Sequence, residues 1–191
     1  MINDSDFLNM SRQGHDLGCL QLLLYALAKA ETRHYTKASY SSFIALEVGI
    51  GQGKSTLALL KAADEVQFGR VYSLDVDRKG CAQAIERVAY YGYSSLWRPF
   101  FVPSFQFEDR ETQYDLVFID GDHTYESVRY DFERFSPQLR VGGLCIFHDT
   151  ELTESDGKYG VRRFLRERLG RQDLVLIPSH NGMAIWVKEE S

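Results

Sequence analysis

Three features are scarce in this sequence: long apolar runs, closely spaced cysteines and basic residues in excess of acidic ones. No segment approaches the ~20 consecutive apolar residues of a transmembrane helix, so we expect no membrane span. The cysteines Cys19, Cys81 and Cys145 lie more than sixty residues apart. That spacing excludes a disulfide scaffold or a zinc ribbon and is typical of a reducing compartment.

The charge balance argues against a nucleic-acid partner. Asp and Glu number 27 against 22 Lys and Arg, which gives a formal net charge of −5. Binding to nucleic acid or to an anionic membrane surface relies on an excess of basic groups. The first sixteen residues carry three aspartates and one arginine, the reverse of the basic start of a signal peptide. We therefore expect a cytoplasmic protein with neither nucleic acid nor a membrane as its partner.

What is present is enough for one domain with a sizeable core. Apolar residues make up 44% of the 191 residues, and a domain of this length buries roughly 70% of its unfolded surface. Residues 1–40 are predicted to form an N-terminal helical extension, in which the segment 17–30 is apolar nearly all round. That helix suits a core contact or a homodimer contact equally well. Residues 43–188 are predicted to form the α/β core.

Short apolar strands alternate with helical segments throughout this core. We predict strands at 43–48, 70–75, 97–102, 114–119, 143–147, 173–177 and 183–187, and helices at 54–66, 78–91, 124–136 and 160–169. Apolar strands that alternate with helices indicate a parallel sheet covered on both faces. Only residues 178–182 separate the last two strands, and a parallel crossover needs a dozen residues or more. We therefore predict a doubly wound, Rossmann-like α/β fold, with a seven-stranded, mostly parallel sheet and an antiparallel terminal strand.

A glycine-rich loop follows the first predicted strand. Residues 47–56 read Glu-Val-Gly-Ile-Gly-Gln-Gly-Lys-Ser-Thr, and glycines at a strand–helix turn let a ligand approach the backbone and the helix N-terminus. A P-loop would need glycine at Val48, and a dinucleotide fingerprint would need its third glycine at Lys54. Each of these patterns is missed by one position. The pattern that fits is acidic-x-Gly-x-Gly-x-Gly.

This pattern resembles motif I of the class I S-adenosylmethionine (SAM)-dependent methyltransferases. The resemblance covers residues 43–188 and implies that the cofactor SAM binds at Glu47, Gly49, Gly51, Gly53 and Ser55. The antiparallel terminal strand is also typical of that family.

The same resemblance places the rest of the cofactor along the following strands. It implies that Asp75, twenty-eight residues after Glu47, holds the ribose hydroxyls; its two acceptor oxygens suit a vicinal diol. Asp77 competes for this role, and a helix cap is the structural alternative for Asp75. The adenine would lie along the turn after the third strand, where Ser104 and Phe105 are candidate contacts.

Acidic residues and histidines follow the fourth and fifth predicted strands. Asp120 comes directly after the fourth strand, and His148 and Asp149 follow the fifth. Neighbouring parallel strands bring their carboxyl ends to one edge of the sheet, so these three side chains are expected to lie together. Two carboxylates and an imidazole suit Mg²⁺, Mn²⁺ or a softer divalent cation. A hydrogen-bonded group of strand ends without a metal is the alternative.

These segments resemble the branch with metal-dependent catechol-type and sugar O-methyltransferases. That resemblance implies Asp120, His148 and Asp149 as metal ligands, although His148 departs from the oxygen ligand usual there. His123, three residues after Asp120, takes the place of the catalytic lysine of catechol-type enzymes. An imidazole can remove a proton near neutral pH. Asp122 could orient its ring, and a helix-capping role for His123 is the alternative.

Together the two motifs predict methyl transfer from SAM to a hydroxyl of a small molecule such as a sugar, a phenol or a natural product. The polar segment 151–159 lies at the mouth of the expected crevice, where Lys158 and Tyr159 are candidate substrate contacts. Two alternatives stay open. One is a P-loop-like nucleotide hydrolase around Lys54, and the other is a module that binds the cofactor without catalysis.

Overall fold

The structure is a computed structural model that describes residues 19–32, 42–66, 68–152, 158–169, 173–178 and 181–190. Its helices are α1 (Cys19–Thr32), α2 (Lys54–Ala63), α3 (Ala82–Tyr90), α4 (Tyr125–Phe135) and α5 (Val161–Phe164), which continues as a π-helical turn (Leu165–Leu169). Its strands are β1 (Ile44–Val48), β2 (Arg70–Leu74), β3 (Trp97–Phe100), β4 (Tyr114–Ile119), β5 (Leu139–His148), β6 (Leu174–Ile177) and β7 (Met183–Val187). Short 3₁₀ turns lie at Ser104–Gln106 and Ser136–Gln138.

The seven strands form one sheet in the order β3-β2-β1-β4-β5-β7-β6. Strands β1 to β5 pair in parallel, whereas β7 runs antiparallel to both β5 and β6. The short link between β6 and β7 leaves room for a reversal and not for a crossover. The predicted doubly wound sheet with an antiparallel terminal strand is confirmed. The strand order reverses beside β1, where folds of this kind bind their ligands.

Several boundaries differ from those predicted: α2 ends at Ala63 and not at residue 66, α3 begins at Ala82 and not at residue 78, and β3 ends at Phe100 and not at residue 102. Strand β5 begins at Leu139 and not at residue 143, because Leu139 still pairs with Tyr114 across an irregularity in the β4–β5 register. The last helix was predicted as a regular α-helix over 160–169, but only its first turn is α-helical.

Alternate residues of the central strands face two separate apolar layers. Ala45 of β1 faces the layer formed with α1, α2 and α3, whereas Leu46 faces the layer formed with α4 and α5. In α1, Leu24, Tyr25 and Ala28 are buried, so the predicted helix is present and one face of it packs in the core. Residues 1–18 and 33–41 of the predicted extension lie outside the described residues. Among the described helices, none is long and apolar enough to cross a membrane.

Candidate active site

The glycine-rich loop joins β1 to α2 and lies against the end of β4. Its three motif glycines all have positive φ: 96° at Gly49, 49° at Gly51 and 75° at Gly53. A Cβ atom at Gly49 would lie 2.1 Å from the carbonyl oxygen of Asp120. A side chain there would therefore meet both an unfavourable backbone conformation and a direct clash. The loop thus brings the end of β1 into contact with the end of β4.

Asp75 follows β2 and supports this loop. Its Oδ2 accepts hydrogen bonds from the backbone N–H groups of Ile50 and Gly51, at 2.9 and 3.1 Å, and its Oδ1 accepts one from Asp77. Burial acts to raise the pKa of Asp75, but these backbone hydrogen bonds outweigh it and hold the pKa below its usual value. Asp77 instead accepts hydrogen bonds from the backbone of Lys79 and Gly80. Asp77 therefore stabilises the turn before α3, and Asp75 is the residue at the crevice.

A cavity of about 520 Å³ opens beside Asp75. The glycine loop, the ends of β2 and β4, the turn after β3 and helix α4 form its wall. The predicted residues on this wall are Gly49, Gly51, Asp75, Ser104, Phe105 and Asp120. Further residues on the wall were not predicted from the sequence, among them Val76, Val102, Ser127 and Asp131.

Glu47, Gly53 and Ser55 lie behind this wall and not on it. Glu47 is fully buried, and its Oε2 accepts hydrogen bonds of 2.7 Å from the hydroxyls of Thr56 and Ser73. Burial raises the pKa of Glu47 to about 7, although the hydroxyls that surround it act in the opposite direction. These three residues therefore hold the base of the loop, and the glycines in front of them face the cavity.

Four polar side chains meet at the ends of β4 and β5. The Nδ1 atom of His148 lies 2.8 Å from Asp120 Oδ1 and 3.4 Å from Asp149 Oδ1. The Nε2 atom of His123 lies 2.9 Å from Asp149 Oδ2 and 3.4 Å from Asp120 Oδ1. The structure thus brings all of the predicted metal ligands together and adds His123 to them.

The two carboxylates control the ionisation of His123. Its hydrogen bonds to Asp120 and Asp149 raise its pKa to about 10 and outweigh the opposite effect of burial. For Asp149, burial acts to raise the pKa, but contact with His123 and His148 holds it below the usual value. In this arrangement His123 is an imidazolium at neutral pH, and its positive charge bridges the two carboxylates.

The donor set of this cluster fits a divalent cation. One ligand atom each from Asp120, His123 and Asp149 can be chosen so that all three lie within 4.8 Å of one another. Asp149 Oδ1 is buried and accepts no hydrogen bond from any described residue, and the ring nitrogen of His148 lies 3.4 Å from it. Asp149 has a φ of 57°, in the left-handed region that aspartate adopts more often than most residues other than glycine. Oxygen and imidazole ligands together suit Mn²⁺ and related ions.

The surroundings of His123 exclude the helix-capping alternative. The N-cap of α4 is Thr124, whose side chain accepts a hydrogen bond from the Ser127 N–H. Asp122 supports this cap by accepting hydrogen bonds from the Thr124 N–H and the Ser127 hydroxyl, so it does not orient His123. The His123 ring instead lies 6.0 Å, centroid to centroid, from that of Tyr159. Of the predicted substrate-contact segment, residues 153–157 lie outside the described residues.

Comparison with known proteins identifies the class to which this site belongs. A family model for a methyltransferase domain matches residues 46–150, which is more than half of the chain. The chain belongs to this methyltransferase family. The match begins within β1 and ends just after Asp149, so it includes both the glycine loop and the Asp/His cluster.

Solved O-methyltransferases share the fold of this methyltransferase. TomG from Streptomyces achromogenes, which is involved in tomaymycin synthesis and was crystallised with SAM, is 21% identical. It superposes with a TM-score of 0.67 over 90% of this chain and 80% of its own. An O-methyltransferase from Bacillus cereus in complex with S-adenosylhomocysteine (SAH) is 18% identical, with a TM-score of 0.72 over 99% of this chain and 93% of its own. At these identities the likeness establishes the fold.

One curated relative matches at the level of sequence. It is an uncharacterised protein of Sinorhizobium fredii, 31% identical over 102 residues, and the match covers 52% of this chain and 11% of that protein. The methyltransferase therefore spans only about a tenth of the length of that relative.

Proposed function

We propose that this methyltransferase transfers the methyl group of SAM to a hydroxyl group of a small molecule, with the help of a divalent cation. One observation carries the proposal: the glycine loop and the Asp/His cluster share Asp120. Asp120 lines the cavity, and its carbonyl oxygen packs on Gly49. Its carboxylate contacts His123 and His148. A cofactor in the cavity would therefore lie beside a group suited to an acceptor hydroxyl.

The cofactor would lie along the cavity from Asp75 to the turn after β3. In the proposal, Asp75 binds the ribose hydroxyls, and Ser104 and Phe105 line the adenine end. Gly49 and Gly51 let the cofactor approach the backbone, since neither carries a side chain. The complexes of TomG with SAM and of the Bacillus cereus enzyme with SAH support this choice of ligand.

We assign Asp120, His148 and Asp149 as the metal ligands and His123 as the base, although the three ligand atoms that lie within 4.8 Å of one another belong to Asp120, His123 and Asp149. The side chain of His123 is 28% exposed against 13% for His148, so an acceptor reaches His123 more easily. A divalent cation held by the assigned metal ligands would, through its positive charge, lower the pKa of His123 and of an acceptor hydroxyl. Neutral His123 then accepts the proton of that hydroxyl, and Asp120 and Asp149 stabilise the imidazolium that forms.

The transfer itself is an in-line displacement. The acceptor oxygen forms a bond to the methyl carbon, the carbon–sulfur bond breaks, and its electron pair stays on sulfur to give SAH. Such a reaction depends mainly on alignment of the two reactants. The role of the chain is therefore to hold the acceptor beside the cofactor and to receive one proton.

Metal binding and methyl transfer can be tested separately. At pH 7 we expect chelation to reduce strongly the transfer of labelled methyl groups from SAM to a panel of phenol and sugar acceptors, and Mg²⁺ or Mn²⁺ to restore it. The spectrum of Mn²⁺ in electron paramagnetic resonance reports binding without turnover. His148→Ala should lose Mn²⁺ affinity, whereas His123→Ala should keep it and lose turnover.

The reverse pattern would exchange the roles of the two histidines. Full turnover after exhaustive chelation, in protein without metal by elemental analysis, would remove the cation from the proposal.

A further inference from the structure

Asp131 is a buried carboxylate on the wall of the cavity that no step above uses. It lies in α4, and only 3% of the residue is exposed. Its side chain is hydrogen-bonded with that of Ser104, in the turn after β3. Its Oδ1 atom is buried and accepts no hydrogen bond from any residue that the structure describes. A carboxylate oxygen withdrawn from water without a donor is costly, which indicates that a ligand supplies the donor.

Packing alone does not account for an acidic residue at this position. Asp131 shares the buried face of α4 with Val128 and Phe135, and an apolar side chain would serve that face better. Among the described residues, no basic group contributes to the ionisation of Asp131. Burial raises its pKa to about 6, the hydrogen bond with Ser104 acts to lower the pKa, and the charge of Asp122 acts to raise it. Above that pH, Asp131 is an ionised hydrogen-bond acceptor.

The position of Asp131 determines which part of a nucleoside it can meet. Asp75, Ser104, Phe105 and Asp131 all line the cavity, and Asp131 lies beside Ser104. A nucleoside with its ribose at Asp75 and its base along the turn after β3 brings an edge of that base to Asp131. The exocyclic amino group of adenine is an uncharged hydrogen-bond donor, and an ionised carboxylate can only accept hydrogen bonds.

We propose that Asp131 accepts a hydrogen bond from the adenine amino group of the cofactor and so selects adenine over bases that carry an oxo group there. The inference rests on the proposed function, because it takes the ligand of the cavity to be SAM or SAH. Ser104 is a positioning residue, since its hydroxyl holds the Asp131 carboxylate in place. An oxo group at the same position is also a hydrogen-bond acceptor. It would face the carboxylate with no hydrogen between the two oxygens, so no hydrogen bond would form.

The test compares SAH with its inosine analogue, in which an oxo group replaces the adenine amino group. Calorimetric titration at about pH 8, where Asp131 is ionised, gives a Kd for each ligand. We expect wild type to prefer SAH by roughly 10- to 100-fold, because a charged acceptor loses its donor in the analogue. Asp131→Asn should reduce that preference at least about tenfold, since an amide can donate to the oxo group. Glu133→Gln, which removes a charge from the exposed face of the same helix, should leave both Kd values within about twofold.

Each outcome decides between a ligand role and a structural one. If Asp131→Asn weakens SAH and the analogue equally, Asp131 serves the fold alone and the inference is overturned. A purine analogue without the amino group tests the same contact in wild type, should Asp131→Asn not fold; equal affinity for it and for SAH would also overturn the inference. If wild type binds none of the three ligands, the proposed function fails first, and the inference fails with it.

Discussion

At the scale of single residues, Asp75 and Asp77 carry the clearest contrast in the site. Both are acidic, and they stand two residues apart, yet only Asp75 lines the cavity. We predict that Asp75→Ala weakens SAH binding by about 1.5–3 kcal/mol, because the ribose hydroxyls lose their acceptor and the loop loses two backbone contacts. Calorimetric titration with SAH measures this loss.

Asp77→Ala is the matched control for that substitution. It removes the acceptor of the turn before α3 and should change SAH affinity much less than Asp75→Ala. Equal affinity for SAH in Asp75→Ala and wild type would show that the ribose lies elsewhere.

The raised pKa of His123 leads to a prediction about how turnover depends on pH. The pKa of about 10 in the metal-free protein means that the neutral base is scarce at neutral pH and becomes abundant as the pH rises. Without a cation, turnover should therefore increase about tenfold per pH unit between roughly pH 7 and pH 10. Mg²⁺ or Mn²⁺ should move this rise to lower pH, since the positive charge of a cation held by Asp120 and Asp149 would lower the pKa of His123. Initial rates across this range, with and without the cation, measure the effect.

Substitution of His123 provides the control for that profile. His123→Ala should lower turnover by about 10²- to 10⁴-fold and remove the rise, whereas His123→Lys should keep part of the activity. Loss of thermal stability with unchanged turnover per folded molecule would end the assignment of His123 as base.

At the scale of the elements, the loop between β1 and α2 depends on contact with β4. Gly49→Ala would force a Cβ atom to 2.1 Å from the Asp120 carbonyl oxygen, so the loop or the strand end must move. We predict that this substitution abolishes SAH binding and disturbs the Asp120 carboxylate. Residue 51 has a positive φ as well, but no protein atom lies within 4 Å of its Cβ position. Gly51→Ala should therefore lower the free energy of unfolding by only about 1 kcal/mol.

Titration of both glycine variants with SAH, beside their thermal unfolding, measures this difference. Similar losses of thermal stability in the two variants would show that backbone conformation, and not contact between the loop and β4, determines the stability of the loop.

The elements also show what a sequence can and cannot reveal. Apolar strands and the short link of residues 178–182 were sufficient to predict the sheet, including the direction of β7. The start of β5 was not predictable, because its irregular pairing with Tyr114 depends on a neighbour distant in sequence. Asp131 left a signal that could have been read: it interrupts the apolar stripe of Val128 and Phe135 on one helix face.

Within the site, too, some features could be predicted from the sequence and others could not. Spacing predicted that Asp120, His148 and Asp149 meet, since strand ends follow from topology. Spacing could not predict that Glu47 lies behind the loop and Asp75 in front of it, because both stand at the carboxyl ends of parallel strands and only the depth of burial separates them. The positive φ of Asp149 and the approach of Tyr159 to His123 are likewise properties of the folded chain.

At the scale of the whole molecule, the described elements form one sheet with helices on both faces. Helix α1 packs against the same apolar layer as α2 and α3, and we propose that the chain as a whole, 1–191, forms one methyltransferase domain. A homodimer, a cytoplasmic location and a small-molecule acceptor remain predictions of the sequence. The family itself is established by the match over residues 46–150.

The most direct test of whether this chain binds the methyl-donor cofactor is calorimetric titration of the purified protein with SAH, beside a parallel titration with ATP and Mg²⁺. We predict that the protein has one binding site for SAH and that Asp75→Ala weakens binding there. We predict no binding of ATP, because Val48 and Lys54 stand where the P-loop and dinucleotide-binding patterns require glycine. Binding of ATP with Mg²⁺ and none of SAH would contradict the account and favour a nucleotide hydrolase.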